Sequence, residues 1–359
     1  MIYLDYQATT PLAPEALAAM MPWLAGPDAT GFANPHSAHP IGRSAWAAVE
    51  LAREQVAALL PAGGRVIFTS GATEAINLAI LGRHPRRIAY SAIEHSAVKA
   101  AAAASGAQVD VIPVNADGLV DAGTKVKPGT DLVAVMQVNN EIGTIQPIAA
   151  LAEAAHAAGA LLLCDAVQGA GKIGAAKGAD LIAVTAHKLY GPKGIGALWI
   201  RDGVELEPLI HGGGQEDGLR SGTLSPALCA GFGAAAAVSL ERQEADAAHV
   251  AVLWHKAREA LALWHLNGSA SARWHGNLNV RRDGLDVARL MSDLRDIAFS
   301  AGSSCASESG KPSQVLTALG LDRAQIKSSI RIGFGRYSTE AEIAAASVAL
   351  NDAATAQGT

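Results

Sequence analysis

The stretch DLIAVTAHKLYGPKGIGALWI, residues 180–200, joins an apolar run to a His-Lys pair, a Gly/Pro turn and a second apolar run. DLIAVTAH (180–187) and IGALWI (195–200) have the length and branched apolar content of buried strands. The alternation continues outward. RVIFTS (65–70), RIAYSAI (87–93), VDVIPV (109–114), DLVAVMQVNN (131–140) and ALLLCDAV (160–167) read as further strands. Alanine-rich helical text such as ATEAINLAILG, VKAAAAASG and IAALAEAAHAAG (148–159) separates several of them. Continuous apolar strands alternating with helices predict an α/β fold with a mainly parallel sheet covered on both faces.

At 359 residues the chain exceeds what one compact core usually holds, so two domains are expected. Helical text around 225–265 leads out of the sheet. NLNV (277–280), a helix at 286–295, SSIRIGF (328–334) and a helix at 339–352 then suit a smaller α+β domain. The division expected is 13–245 for the large domain, and 1–12 with 246–359 for the small one. Half the residues are hydrophobic, 4% are aromatic, and the net charge of −5 is interspersed rather than blocked. That pattern speaks against direct nucleic-acid binding and against a polybasic membrane anchor. The N-terminal text MIYLDY has no leader-like pattern, so a cytoplasmic location is expected. Cys164, Cys229 and Cys305 are widely spaced, which disfavours a disulfide framework or a zinc site.

Ligands in open α/β sheets bind beyond the carboxyl ends of the strands, so the polar residues there should converge. Ser70-Gly71-Ala72-Thr73-Glu74 opens a helix and can cradle an anion, though Ser/Thr before Glu is equally an ordinary capping box. His95 follows one strand and Asn139-Asn140-Glu141 another; each has a structural alternative. Asp165 ends an LLL strand, where an acid is costly unless paired or hydrogen-bonded, and Gln168 follows it. Lys188 lies where its strand meets the site, whereas Lys193 lies in the turn, where a solvated lysine costs little. A desolvated lysine amine is a nucleophile toward carbonyls. An anion cradle, a buried acid and a buried amine together suit pyridoxal 5'-phosphate, with Lys188 as its attachment point.

These residues sit in longer matching text: YLDYQATTP (3–11), FANPHSAH (32–39), FTSGATEAINLAI (68–80), EHSAV (94–98) and VNNEIGTIQPI (138–148). It continues through CDAVQGAGKI (164–173), AHKLYGPKGIGAL (186–198), HGGGQEDGLRSGT (211–223), SAGSSCAS (300–307) and SSIRIGFGR (328–336). The chain thereby resembles the NifS/IscS-type cysteine desulfurases, in the class V aminotransferase group of fold-type I pyridoxal phosphate enzymes. The resemblance implies a seven-stranded large domain, a homodimer, L-cysteine as substrate and a protein that accepts the sulfur. It also implies roles. Lys188 binds the cofactor covalently, Asp165 partners the pyridine nitrogen, Gln168 contacts the ring hydroxyl, and His95 stacks on the ring and shuttles protons. Ala72, Thr73, Thr185 and His187 match the phosphate-binding set, and Asn140 the residue near the ring oxygen. Arg331 matches the grip on the substrate carboxylate, with Asn34 at the same end, and Thr223 the contact to the partner subunit's phosphate. Cys305 matches the thiol that becomes a persulfide, and the loop from Ser300 to Val315 looks like the long-loop group that hands sulfur on directly.

Thr185-Ala186 stands where the family commonly has Ser-Gly, and Asp217 where it has Arg. The chain ends soon after the last helix, where many relatives carry a tail that docks an iron–sulfur scaffold. A selenocysteine lyase or another class V aminotransferase-type enzyme is the alternative activity, and a retained non-enzymatic binding fold a further one. A metal site is not expected: His36 and His39 have ligand-like spacing but lack a third partner, and their flanking prolines disfavour a helix. The glycine runs match no dinucleotide or Walker pattern.

Overall fold

All seven apolar runs enter one sheet in the computed structural model, which describes residues 1–24, 26–302 and 312–359. After a short strand β1 (Ile2–Tyr3), they are β2 (Gly64–Thr69), β3 (Arg87–Ser91), β4 (Gln108–Ile112) and β5 (Leu132–Met136). β6 (Leu161–Asp165), β7 (Leu181–Thr185) and β8 (Gly196–Arg201) complete the set. Their order across the sheet is β2-β8-β7-β6-β5-β3-β4. β8 alone runs against its neighbours, antiparallel to β2 and β7, while β3, β4, β5, β6 and β7 pair in parallel. The reason is the link quoted at the outset. The segment 186–195 is too short for a helical crossover, so the chain must turn back beside the strand it has left.

Helices α1 (Pro14–Met20), α2 (Pro40–Ala57), α3 (Ala72–Leu81), α4 (Ser96–Ala104), α5 (Ile148–Ala157) and α6 (Pro226–Glu241) cover the sheet. β5 shows why both faces need cover, since all five of its residues are buried. Val133 and Val135 join a core with Val49 and Val56 of α2, Leu151 of α5 and Phe232 of α6. Leu132 and Ala134 point the other way, into a core with Ile76 and Ile80 of α3 and Val98 of α4.

The helical text expected around 225–265 is two helices, broken at Arg242: α6, and α7 (Gln243–Ala260). A second core lies beyond the break, around the antiparallel sheet β12-β13-β10-β9. Its strands are β9 (His265–Leu266), β10 (Asn277–Arg281), β12 (Ser300–Ala301) and β13 (Ser329–Gly333), and β11 (Ile297–Ala298) pairs in parallel with β1. Helices α8 (Val287–Asp293) and α11 (Glu340–Ala356) pack on this core with α7; α9 (Gln314–Ala318) and α10 (Arg323–Lys327) precede β13. The chain's start is laced into its end. Leu4 is buried in this core, and the Gln7 side chain and Tyr6 backbone lie so close to Gly333 that a Cβ there would fall 1.6 Å from Gln7 Oε1 and 3.0 Å from the Tyr6 nitrogen.

Candidate active site

The carboxyl ends of the parallel strands open onto one cavity of about 630 Å³. Ten of the residues singled out in the sequence line it: Ala72, Thr73, His95, Asn140, Asp165, Gln168, Thr185, His187, Lys188 and Arg331. Lys193 reaches it too, from the exposed turn.

One end is built from the start of α3. No side chain caps this helix, and Gly71 before it has none, so the first-turn N–H groups, which lack intrahelical acceptors, face the cavity edge. An anion is favoured there by those donors and by the helix dipole. The expected capping-box alternative is not what forms. Glu74 reaches back to the Ser70 N–H at 2.7 Å and is held by Arg220 at 2.8 Å, which pulls its carboxyl below the usual range against the effect of burial. Thr185 donates its hydroxyl to the Ile195 carbonyl at 3.1 Å, and His187 Nδ1 lies 3.2 Å from Thr9 Oγ1. Burial, with Lys188, Lys193 and Lys172 nearby, pushes the His187 pKa down to about 4, so its ring is neutral at neutral pH and offers a hydrogen bond rather than a charge.

The middle of the cavity holds Asp165, His95, Gln168 and Lys188. Asp165 accepts the Val167 N–H at 3.0 Å; burial drives its carboxyl upward, opposed by His95, that N–H and Lys188. His95 caps α4, and its Nδ1 accepts the Ala97 N–H at 3.1 Å. A nitrogen that accepts carries no proton, so the neutral ring bears its proton on Nε2. Lys188 sits in a single 3₁₀ turn (Ala186–Lys188) that leaves β7. Its Nζ donates to the Ala8 carbonyl at 2.6 Å and to the Gln7 carbonyl, which also accepts Gln168 Nε2 at 3.0 Å.

At the far end Arg331, 1% exposed, projects from β13. Its Nη2 donates to Asp5 Oδ1 at 2.8 Å and Ser300 Oγ at 3.2 Å, and its Nη1 to the Asn140 carbonyl at 3.2 Å. Its Nε is buried with no hydrogen-bond partner among the described residues. Behind the cavity two more acids are buried. Burial pushes Glu94 up to about 8 and Glu141 up to about 7, despite hydrogen bonds from Ser91 and Met136 to the first and from Ser313 to the second.

Asn34 and Thr223 are not brought in. Asn34 is exposed and accepts the His36 N–H at 2.9 Å, while Thr223 is exposed and lies outside the cavity lining of its own chain. Cys305 lies outside the described residues. Its flanks are tied down: the Gly302 N–H donates to Ser329 at 2.8 Å, and Ser313 Oγ to Glu141 at 2.6 Å. Cys164 and Cys229 are fully buried, as expected of core thiols, and burial raises both. His39 Nδ1 caps α2, and the His36 ring lies tilted against Trp46. No group of three or more metal-ligating side chains occurs among the described residues, and none of their helices is long and apolar enough to cross a membrane. The sequence reading missed the Gln7 and Ala8 carbonyls, because contacts between residues 7 or 8 and residue 188 leave no local pattern; it also missed Lys172, although that residue follows Gln168 by only four positions.

Residues 2–345 match the aminotransferase class-V family. A cysteine desulfurase IscS of Rickettsia bellii (strain OSU 85-389) is 41% identical, with 95% of this chain and 88% of the relative covered. A solved structure described as a NifS-like protein superposes with a TM-score of 0.89 at 32% identity, covering 99% of both chains. Another, described as SspA in complex with cysteine, has a TM-score of 0.82 at 35% identity, covering 94% of this chain and 100% of that one. This chain belongs to the aminotransferase class-V family, among the IscS- and NifS-type cysteine desulfurases.

Proposed function

We propose that this protein is a pyridoxal phosphate-dependent cysteine desulfurase that converts L-cysteine to L-alanine and carries the sulfur away as a persulfide on Cys305. The observation that carries the proposal is the convergence of the Lys188 amine, the Asp165 carboxyl, the uncapped start of α3 and the partly unpartnered Arg331 on one cavity. The donor set fits the cofactor. Open N–H groups at residues 71–73 suit a phosphate, Asp165 suits a ring nitrogen, the Gln168 amide suits a ring hydroxyl, and Lys188 suits an aldehyde. When bound, pyridoxal phosphate supplies the electron sink for bond changes at the substrate.

The chain's own residues do the rest. Arg331 grips the substrate carboxylate with the donors that Asp5 and Asn140 leave over. Lys188, whose amine lies beside the Ala8 carbonyl, would move protons at the substrate Cα. His95 serves as an Nε2–H donor, its other nitrogen being held by Ala97. The Cys305 thiolate forms a bond to the substrate sulfur as the substrate's C–S bond breaks. The carbon skeleton keeps that electron pair, takes up protons and leaves as alanine. Sulfur is oxidised to the persulfide level while carbon is reduced, so no outside oxidant enters.

The working unit is a homodimer in which Thr223 completes the partner's phosphate site. Its exposure supports that role, as does the cluster of exposed apolar residues Leu17, Met21, Leu24 and Phe32. The persulfide passes to an acceptor protein, an iron–sulfur scaffold or a thiolation enzyme. We divide the chain at 13–245 and at 1–12 with 246–359, on the strength of the separate cores around the two sheets. For the test, Cys305→Ala is assayed with L-cysteine while cofactor absorbance is followed. The expected result is a normal cofactor spectrum with alanine and sulfide release reduced by about 100-fold or more. Undiminished sulfide release would remove Cys305 from the reaction.

A further inference from the structure

Lys172 stands in the turn after β6, outside the lining of the cavity but directly behind it. Its Nζ donates to Gln168 Oε1 at 3.1 Å, and it makes no ion pair among the described residues. A half-buried ammonium held among the described residues by one amide oxygen is costly, and burial, with a second lysine, Lys188, nearby, brings its pKa down to about 7. If the turn needed only packing, an apolar side chain would meet that need at lower cost.

What the ammonium brings is an unambiguous direction. Below its pKa of about 7 it has three donors and no acceptor, so it can meet only the oxygen edge of the Gln168 amide. The nitrogen edge must then face away, where one N–H goes to the Gln7 carbonyl at 3.0 Å. The second N–H is left for the cavity that Gln168 lines. A hydroxyl or amide in place of Lys172 would accept as readily as donate, and would leave the Gln7 carbonyl alone to hold the amide's direction.

We propose that Lys172 is a positioning residue, which fixes the Gln168 amide so that a donor, and not a carbonyl, faces the ring oxygen of the bound cofactor. This deepens, and rests on, the cofactor reading above. Asp165, His95, His187, Lys188, Lys193 and Arg331 share the cavity and stay unchanged in every variant named here.

The test is a pH titration of the absorbance of the cofactor bound to Lys188 in the holoenzyme. The variants are Lys172→Met, Lys172→Arg, Gln168→Ala and the double variant Lys172→Met with Gln168→Ala. Losing the donor and the nearby positive charge should make the bound chromophore hold its proton more tightly. Its midpoint in Lys172→Met should therefore rise by about one pH unit. Lys172→Arg keeps a donor-only cation and should restore the wild-type midpoint. The double variant should shift no further than Gln168→Ala alone, because the two residues act as one unit. If Lys172→Met does not fold, Lys172→Gln takes its place.

A midpoint unmoved in Lys172→Met, with only a lower Tm, overturns the proposal, as does a full additive shift in the double variant. A wild-type protein in which borohydride fixes no cofactor on Lys188 overturns instead the cofactor reading on which it rests.

Discussion

At Arg331 the flat fork of the guanidinium does two things at once. Its Nη groups are held by Asp5, Ser300 and the Asn140 carbonyl, which sets the plane, while Nε stays unpartnered among the described residues. Lysine offers a point charge with no plane to set. In Arg331→Lys the KM for L-cysteine should rise by about 10- to 100-fold with kcat less affected, since the lost contact binds ground and transition states alike. Cofactor absorbance should be unchanged. Steady-state kinetics on the variant check this, and an unaltered KM would mean that another group takes the carboxylate. Asp217 is understandable at the same scale. It is exposed, with a backbone φ of 56°, a left-handed conformation that Asp tolerates better than most residues. Its neighbour Glu216 is buried and paired with Arg53 at 2.7 Å, so the loop is anchored whatever side chain stands at 217.

The strand pair β7–β8 and the helix α3 meet at Gly196. It pairs with Thr185 on one side and Thr69 on the other, and a Cβ there would lie 2.7 Å from the Gly71 backbone and from the Val184 carbonyl. All of these contacts are backbone, so no side-chain rearrangement can make room. Gly196→Ala should push residue 71 outward and spoil the uncapped start of α3. The expected outcome is cofactor affinity lower by about tenfold or more and a loss of about 1–3 kcal/mol in stability. Equilibrium cofactor titration with thermal denaturation checks this; wild-type affinity in the variant would show that the anion end does not depend on that approach.

Across the whole molecule the cavity depends on both ends of the chain: Gln7 and Ala8 supply carbonyls to Lys188, and Arg331 arrives from the second sheet. Closing it buries acids that have no business ionising. In the unfolded chain Glu94 ionises near 4.5, whereas burial keeps the folded carboxyl protonated up to about 8. Because the folded value is the raised one, the stability from this group is whole below 4.5 and is lost as pH climbs toward 8. Glu94→Gln imitates the protonated acid and should remove that loss. Chemical denaturation near pH 4.5 and near pH 8 should show the variant gaining on wild type by about 1–3 kcal/mol at the higher pH. A stability difference identical at both would mean that Glu94 titrates alike in the folded and unfolded chain.

Much of the fold was legible because it is local. Apolar runs of strand length, the short link after residue 185 and the polar residues at strand ends are all read from neighbours in sequence, and most of the residues so named line one cavity together with Thr185 and Arg331, which only the family resemblance had pointed to. The preference for Lys188 over Lys193 also came from a local feature, the end of an apolar strand, although the structure leaves Lys188 half-buried rather than buried. Other features were decided by tertiary structure alone. The carbonyls of Gln7 and Ala8 reach Lys188 across about 180 residues, Lys172 stands behind Gln168, and Asp5 holds Arg331 from the opposite end of the chain. The pairs that join residues 7, 8 and 5 to 188 and 331 leave no periodicity or spacing to detect, whereas Lys172 and Gln168 are only four residues apart and their contact was decided by how the turn after β6 folds. Burial, and with it the raised carboxyls of Glu94 and Glu141, exists only once packed elements have excluded water from those side chains.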